Sequence, residues 1–483
     1  MAEDSAAHLH RFRIDEIKND PTVVSASTEE ALTFVEADLL YHDLSAGHST
    51  EPVASQLDGA GGRRHSAESW VTRIPGRENK GIANYLNHLR DDLQLELWEF
   101  PAPTGGQGAP DVRTVAKQVR ESVGPGAAPV HHVPIYPITP VSFGPFGAPT
   151  PVSFGGAARP DPVSFGGAAK PDPVSFGGAR PPASAAAQAG AGKSAREPGR
   201  GACVKLAVLD TGIPQNYAEL HPYLEGSVAP HCDPEHPMDS HDHLRLDAGH
   251  GLFIMDVACR LAPSLKPVLM RRPTRNDSNL SLGEHLIALD LWEVVAQAIS
   301  DEYRLIVNMS FAAQTVDDKP GLGLLSELTW LANQGADVLV VAAAGNGGDE
   351  RKMFPAACEL PNVVSVGALD ASGHVASFSS RGDWVDCWTT GSAITGAYLK
   401  GVYDHPHGSP ATFGPGEPWA QWSGTSFAAP RVVAAIARKA AEMPGASLLA
   451  AWETLRKENR GRHPHWSDSS GRFFTETGVI IDI

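Results

Sequence analysis

The sequence predicts an α/β domain: a mostly parallel sheet covered by helices on both faces, with a small N-terminal α+β region and a disordered linker ahead of it. Three observations predict this. From about residue 201 to 445, short apolar runs alternate with stretches of helical period, the pattern of strand–helix–strand units. The runs are apolar on both faces, so both faces of the sheet are covered. Ahead of them, residues 101–200 concentrate the glycines and prolines, 48 and 39 in the whole chain, which is linker composition.

Residues 1–100 read as a small domain without evident chemistry. Positions 29–40 have helical spacing, with Ser27 or Thr28 as a cap. Positions 82–90 read as a second helix, and 93–100 alternate as an edge strand does. In the linker, copies of Pro-Val-Ser-Phe-Gly begin at Pro140, Pro151, Pro162 and Pro173. Such a segment has too little apolar bulk for a core and reads as a spacer. A sharper reading makes each copy a short strand ligand for a partner or for the chain's own cleft.

From Cys203 the character changes. Positions 204–209 form an apolar strand that ends at Asp210-Thr211-Gly212. Helical period returns at 252–261 and 282–299. A strand at 305–310 precedes a helix at 323–334, closed by Gly335. Further strands follow at 338–344 and 363–368. The stretch Trp422-Ser423-Gly424-Thr425-Ser426 opens a helix that is apolar nearly all round, so it is buried. The remainder, 446–483, reads as an extension packed on the domain, with a helix at 448–457 and a strand at 477–483. In parallel sheets active groups collect at the carboxyl ends of strands. Asp210, Ser310 and Asn346 all stand there.

These positions make a constellation with Gly249-His250-Gly251 and Ser426. Serine is a weak nucleophile until a base takes its proton. Histidine does that near neutral pH. A carboxylate on the other ring nitrogen sets the tautomer and stabilises the imidazolium. A side-chain amide donates to the oxyanion that then develops. A hydroxyl in a helix's first turn lies among free backbone N–H groups at the positive end of the dipole.

Four motifs in this order resemble the subtilisin-like serine proteases, the subtilases: Val208-Leu209-Asp210-Thr211-Gly212, Gly249-His250-Gly251, Ala343-Ala344-Gly345-Asn346, and Gly424-Thr425-Ser426-Phe427-Ala428-Ala429-Pro430. The resemblance covers about 203–445. It implies a subtilisin-like fold and a serine endopeptidase acting through an acyl-enzyme. It also implies Asp210 as orienting acid, His250 as base, Ser426 as nucleophile, and Asn346 with the Ser426 N–H as oxyanion hole. Ser310, Phe311, Ala312, Ala343 and Gly345 would line the substrate. Two departures stand out. Ala312-Ala313 replace the glycines usual after the substrate-pairing serine, which makes the specificity pocket shallower. Gly251-Leu252-Phe253 lacks the usual threonine after the glycine, which bears on hydrogen bonding near the base.

The resemblance calls for no cofactor. It leaves room for structural calcium, but no aspartate-rich loop here supplies a site. The cluster from His231 to His243 is rich in ligand types yet fits no zinc spacing, and reads as a polar surface loop. The formal charge of −17, from 56 acidic and 39 basic residues, argues against nucleic acid or an anionic membrane as partner. No apolar signal core or bilayer-spanning run is evident. Five cysteines without paired spacing point to reduced thiols in a cytoplasm. The expected partner is a protein or peptide substrate, with residues 1–100 or a repeat as intramolecular inhibitor. Two rival readings are a catalytically silent binding module and a dedicated processing protease for one partner or precursor peptide.

Overall fold

A computed structural model describes residues 23–25, 34–45, 50–67, 79–101, 111–123, 129–137, 150–152 and 203–482, apart from breaks at 240, 246, 274–280, 316–318, 404–409, 415, 417 and 468–471. The N-terminal unit comprises β1 (Phe34–Asp43), α1 (Thr50–Gly59), α2 (Asn79–Asp91), β2 (Leu95–Glu99), α3 (Val112–Val123) and β3 (Val130–Pro137). β1 lies between β2 and β3 and is antiparallel to both. Alternation along β1 decides the packing. Leu39 and Tyr41 face α2, while Leu40 faces α1 and α3.

Three expectations change here. The helical spacing at 29–40 gives way to strand from Phe34 on, because β1 finds backbone partners on both sides and burial on both faces. Positions 29–33 lie outside the described residues. β2 is a strand but not an edge, since Arg63–Arg64 pairs with its outer side. The linker does not start at 101. Val112, Val115, Ala116 and Val119 form one buried face of α3, a helical stripe that averaging over a Pro- and Gly-rich region conceals. Of the four repeats, only Pro151-Val152 falls within the described residues.

The larger unit follows as β4 (Thr150–Val152), β5 (Val204–Leu209), α4 (His250–Leu261), β6 (Leu269–Arg271), β7 (Ser281–Gly283), α5 (Glu284–Ser300), β8 (Arg304–Met309), α6 (Leu322–Asn333), β9 (Val338–Ala343), β10 (Val363–Leu369), β11 (Cys387–Thr390), β12 (Ile394–Ala397), β13 (Trp419–Trp422), α7 (Thr425–Glu442), α8 (Leu448–Glu458) and β14 (Val479–Ile480). Seven strands form one sheet in the order β6-β5-β8-β9-β10-β11-β14. Every pairing in it is parallel. Leu206, Val208, Ile306 and Val341 face α4 and α7. Ala207, Leu209, Val307 and Val340 face α5 and α6. This is the α/β architecture with helices on both faces that the apolar runs predict. The tail strand is shorter than 477–483, yet it joins the sheet beside β11.

The two units share structure. β7 adds to the N-terminal sheet by pairing with β3. Leu286, Ala288 and Leu289 of α5 join Tyr41, Ile82, Tyr85 and Leu89 in one core. Between α2 and α6 lies a buried ionic contact. His88 Nε2 meets Glu327 at 3.1 and 3.2 Å, and its Nδ1 meets Asp92 at 2.7 Å. The ring stacks on Trp292 and meets Trp330 edge-on.

Candidate active site

Asp210 follows β5 directly. His250 opens α4, and the preceding Gly249 has φ +75°, a left-handed conformation in which a Cβ would meet Tyr398 and Leu399 at 3.1 Å. His250 Nδ1 contacts both Asp210 oxygens, at 2.8 and 3.0 Å. Both side chains are fully buried. With Nδ1–H donated to a carboxylate, Nε2 carries the lone pair. Nε2 has no hydrogen-bond partner among the described residues. Trp422 and Phe427 close on the ring edgewise, at 5.4 and 5.3 Å between centroids. Thr211 ties the acid loop to the base, for its N–H donates to Asp210 Oδ1 at 2.8 Å and its Oγ1 accepts from Gly251 N–H at 3.0 Å. The missing threonine after Gly251 therefore leaves that backbone donor satisfied.

Ser426 is the second residue of α7. Its hydroxyl donates to the Ser310 carbonyl at 3.0 Å rather than to His250. In return Ser310 Oγ donates to the Ser426 carbonyl at 2.9 Å. Pro430 explains why that carbonyl is available. Four residues on, it lacks the N–H that would fill the helical bond. Asn308 Nδ2 donates to Ser310 Oγ at 2.8 Å and completes the chain of contacts. The structure thus joins Asp210 to His250 and Ser310 to Ser426, and leaves the Ser426–His250 bond unmade.

Asn346 stands two residues beyond the alanine that follows β9. Its Oδ1 accepts from Thr425 N–H at 2.9 Å and from Thr425 Oγ1 at 3.0 Å. Both bonds need the carbonyl oxygen on that side, which fixes the amide orientation and leaves Nδ2 as the donor facing Gly424. Nδ2 lies 3.5 Å from where a Cβ on Gly424 would stand. Thr425 Oγ1 also accepts from Gly345 N–H at 3.1 Å, so one threonine aligns the two motifs.

The expected substrate strand, Ser310-Phe311-Ala312, is flanked on both sides. Phe311 meets Tyr136 of β3 edge-on at 5.8 Å. Ala313 and Phe354 exchange backbone hydrogen bonds at 3.0 and 2.9 Å. Ala343 ends β9, and Met353 fills the space beside Gly345, its Cγ and Cε 3.1 Å from where a Cβ there would sit.

Glu235 is the residue that sequence reading missed. It belongs to the loop read as polar surface, yet it is buried, and its Oε1 accepts from Gly249 N–H at 2.6 Å. Burial pushes its carboxyl well above the usual range, and Asp247 and Asp210 add to the effect. Through its bond to Gly249 N–H, Glu235 holds the turn before His250. Its sequence surroundings, Asp233-Pro234-Glu235-His236, carry no apolar signal of burial. Among the described residues no group of three or more His, Cys, Asp or Glu is placed to hold a metal ion.

Residues 272–458 match the model of the subtilase family, Peptidase_S8. The chain carries a subtilase domain. The match takes in Asn346 and Ser426, while Asp210 and His250 precede it and stand on the geometry above. The chain is 32% identical over 212 residues to a thermophilic serine proteinase of Bacillus sp. (strain AK1), covering 41% of this chain and 48% of that one. It is 26% identical over 271 residues to thermitase of Thermoactinomyces vulgaris, covering 55% and 86%. It therefore spans about half of the first relative and most of the second. Among solved structures, the S41 psychrophilic protease aligns with a TM-score of 0.44 at 22% identity, over 59% of this chain and 92% of that one.

Proposed function

We propose that the chain is a serine endopeptidase that cleaves protein or peptide substrates through an acyl-enzyme. The observations that support this reading are the buried Asp210–His250 pair at the start of α4 and, at the start of α7, Thr425 beside Ser426 holding the Asn346 amide by its oxygen. In the reaction, Ser426 Oγ turns from Ser310 O to His250 Nε2 and gives up its proton as it attacks the carbonyl carbon. The carbonyl electron pair moves onto oxygen, which Asn346 Nδ2 and the Ser426 N–H receive. The intermediate collapses with loss of the amine, which takes the proton from Nε2. Water repeats the sequence on the ester. Hydrolysis of a peptide library, read by mass spectrometry, tests this reading. Asn346→Ala is expected to lower turnover by about 10²–10³ while KM changes little. A turnover within twofold of the parent would remove Asn346 from the oxyanion site.

Restricted substrate choice follows from Met353 and Ala312. Met353 stands beside Gly345, and Ala312 takes the place of a glycine, so small side chains are favoured before the cut. Met353→Ala is expected to raise kcat/KM for large apolar residues there by roughly tenfold or more, with little change for alanine. An unchanged ratio would place the selectivity elsewhere. This is also the reading of a dedicated processing protease.

Intramolecular inhibition belongs to the same proposal, with its boundary moved. The N-terminal unit extends to Pro137, and β3 brings Tyr136 onto Phe311 of the substrate strand. Residues 130–137 are thus better placed than 1–100 as such to oppose substrate entry. A cytoplasmic setting, read from the cysteines, is part of the proposal too. Among the described residues, no helix is long and apolar enough to cross a membrane. One observation favours the silent-module alternative: His250 is fully buried and makes no bond to Ser426.

A further inference from the structure

β13 leads into the Ser426 turn and is flanked on one side by β12, with Ile394 opposite Trp422 and Ala397 opposite Trp419. Its other side is an edge. There β4 pairs antiparallel, with Val152 opposite Trp419, Pro151 opposite Ala420 and Thr150 opposite Gln421. β4 is the start of the second Pro-Val-Ser-Phe-Gly copy. Proline suits an outermost strand, where its missing N–H interrupts no further ladder. Pairing of this kind is made by backbone groups, which any copy of the same sequence presents alike. The copies at Thr139-Pro140 and Thr150-Pro151 share Thr-Pro-Val-Ser-Phe-Gly, and those at Asp161-Pro162 and Asp172-Pro173 share Asp-Pro-Val-Ser-Phe-Gly.

We infer that the β13 edge is a docking site for the repeats as a set, on which the copies at Pro140, Pro162 and Pro173 replace the one at Pro151. A step of 11 residues reaches up to about 36–40 Å in extended chain, so a neighbouring copy can follow when one leaves. Tethering four equal ligands keeps the edge filled at high effective concentration. The consequence lies beside the nucleophile. Trp422, at the end of β13, packs on His250 and Phe427, so an occupied edge steadies the wall of the site. The proposal concerns an interaction surface and does not depend on peptide hydrolysis.

Cysteine pairs test it in the full chain carrying Ser426→Ala, which prevents self-cleavage. Facing residues in an antiparallel ladder lie about 4.5–5.5 Å apart at Cα, within the range a disulfide bridges. Pro151→Cys with Ala420→Cys is expected to cross-link under mild oxidation, as mapped by mass spectrometry against the five native cysteines. Pro162→Cys with Ala420→Cys is expected to cross-link weakly while the second copy is intact. When residues 151–154 are replaced by Gly and Ser, that bond rises severalfold, to the level of the first pair. Cross-linking at 151 with no gain at 162 would overturn exchange and leave one fixed strand. Absence of a bond at 151, or bonds found only between chains, would overturn docking within the chain.

Discussion

Ser426→Ala is expected to lower kcat for peptide hydrolysis by roughly 10⁶, and His250→Ala to do the same. The double variant is no worse than either one, because a hydroxyl without its base and a base without its hydroxyl fail at the same step. The tautomer of His250 decides this expectation. Asp210 accepts a hydrogen bond from Nδ1–H at 2.8 Å, so the proton stays on Nδ1, Nε2 is the only basic atom of the ring, and it has no partner among the described residues. The unmade Ser426–His250 bond does not weaken this expectation, since such contacts often tighten only when substrate binds. The measurement is kcat and KM for the three variants on one peptide. Multiplicative losses in the double variant would contradict a shared proton transfer.

The second large effect concerns the contact between the two units. Glu327→Ala is expected to destabilise the chain by about 1–3 kcal/mol, because it leaves His88 Nε2 buried beside two tryptophans without its partner, while Asp92 still meets Nδ1. The paired replacement His88→Leu with Glu327→Leu should recover much of that loss, since it removes both desolvated groups. The pair also predicts a pH dependence. Burial pulls the His88 pKa down, but Glu327 and Asp92 outweigh it and raise it overall. Burial raises that of Glu327, against the opposing pull of His88. The groups facing His88 are Asp92 after its own helix, Glu327 of α6, and Tyr85 one turn back, whose hydroxyl burial holds well above its usual range. Both members of the pair bind protons more tightly when docked. The His88 contribution is therefore complete below the ordinary histidine pKa and that of Glu327 below the ordinary carboxylate pKa, and each is lost as pH rises through its raised value. Unfolding free energy measured from pH 6 to 9 should fall more in the parent than in the double leucine variant. Parallel curves would contradict the role given to this pair.

The local structure around Asp210, His250, Asn346 and Ser426 was legible in the sequence, because each sits in a short motif whose glycines and neighbouring strand or helix ends mark a turn. The parallel sheet was legible too, because its strands are apolar on both faces. What escaped has physical reasons. α3 and β3 lie inside a region whose average composition is that of a linker. β1 shows helical spacing locally and becomes a strand only because neighbours exist on both sides. Glu235 has a polar neighbourhood in sequence and is buried by contacts from distant segments. Ser310 was expected to pair with substrate backbone, and its second task, filling the carbonyl that Pro430 leaves free, depends on a helix 116 residues away.

The central claim is that Ser426 is a nucleophile activated by His250. A fluorophosphonate probe tests it most directly, because it forms a stable adduct only with an activated serine. The account predicts labelling of the full chain at Ser426, increased in the Glu327→Ala variant where the N-terminal unit is loosened, and lost in both Ser426→Ala and His250→Ala. If neither the full chain nor the Glu327→Ala variant is labelled, or if labelling survives His250→Ala, the protein is not the hydrolase argued for and the silent binding module takes its place.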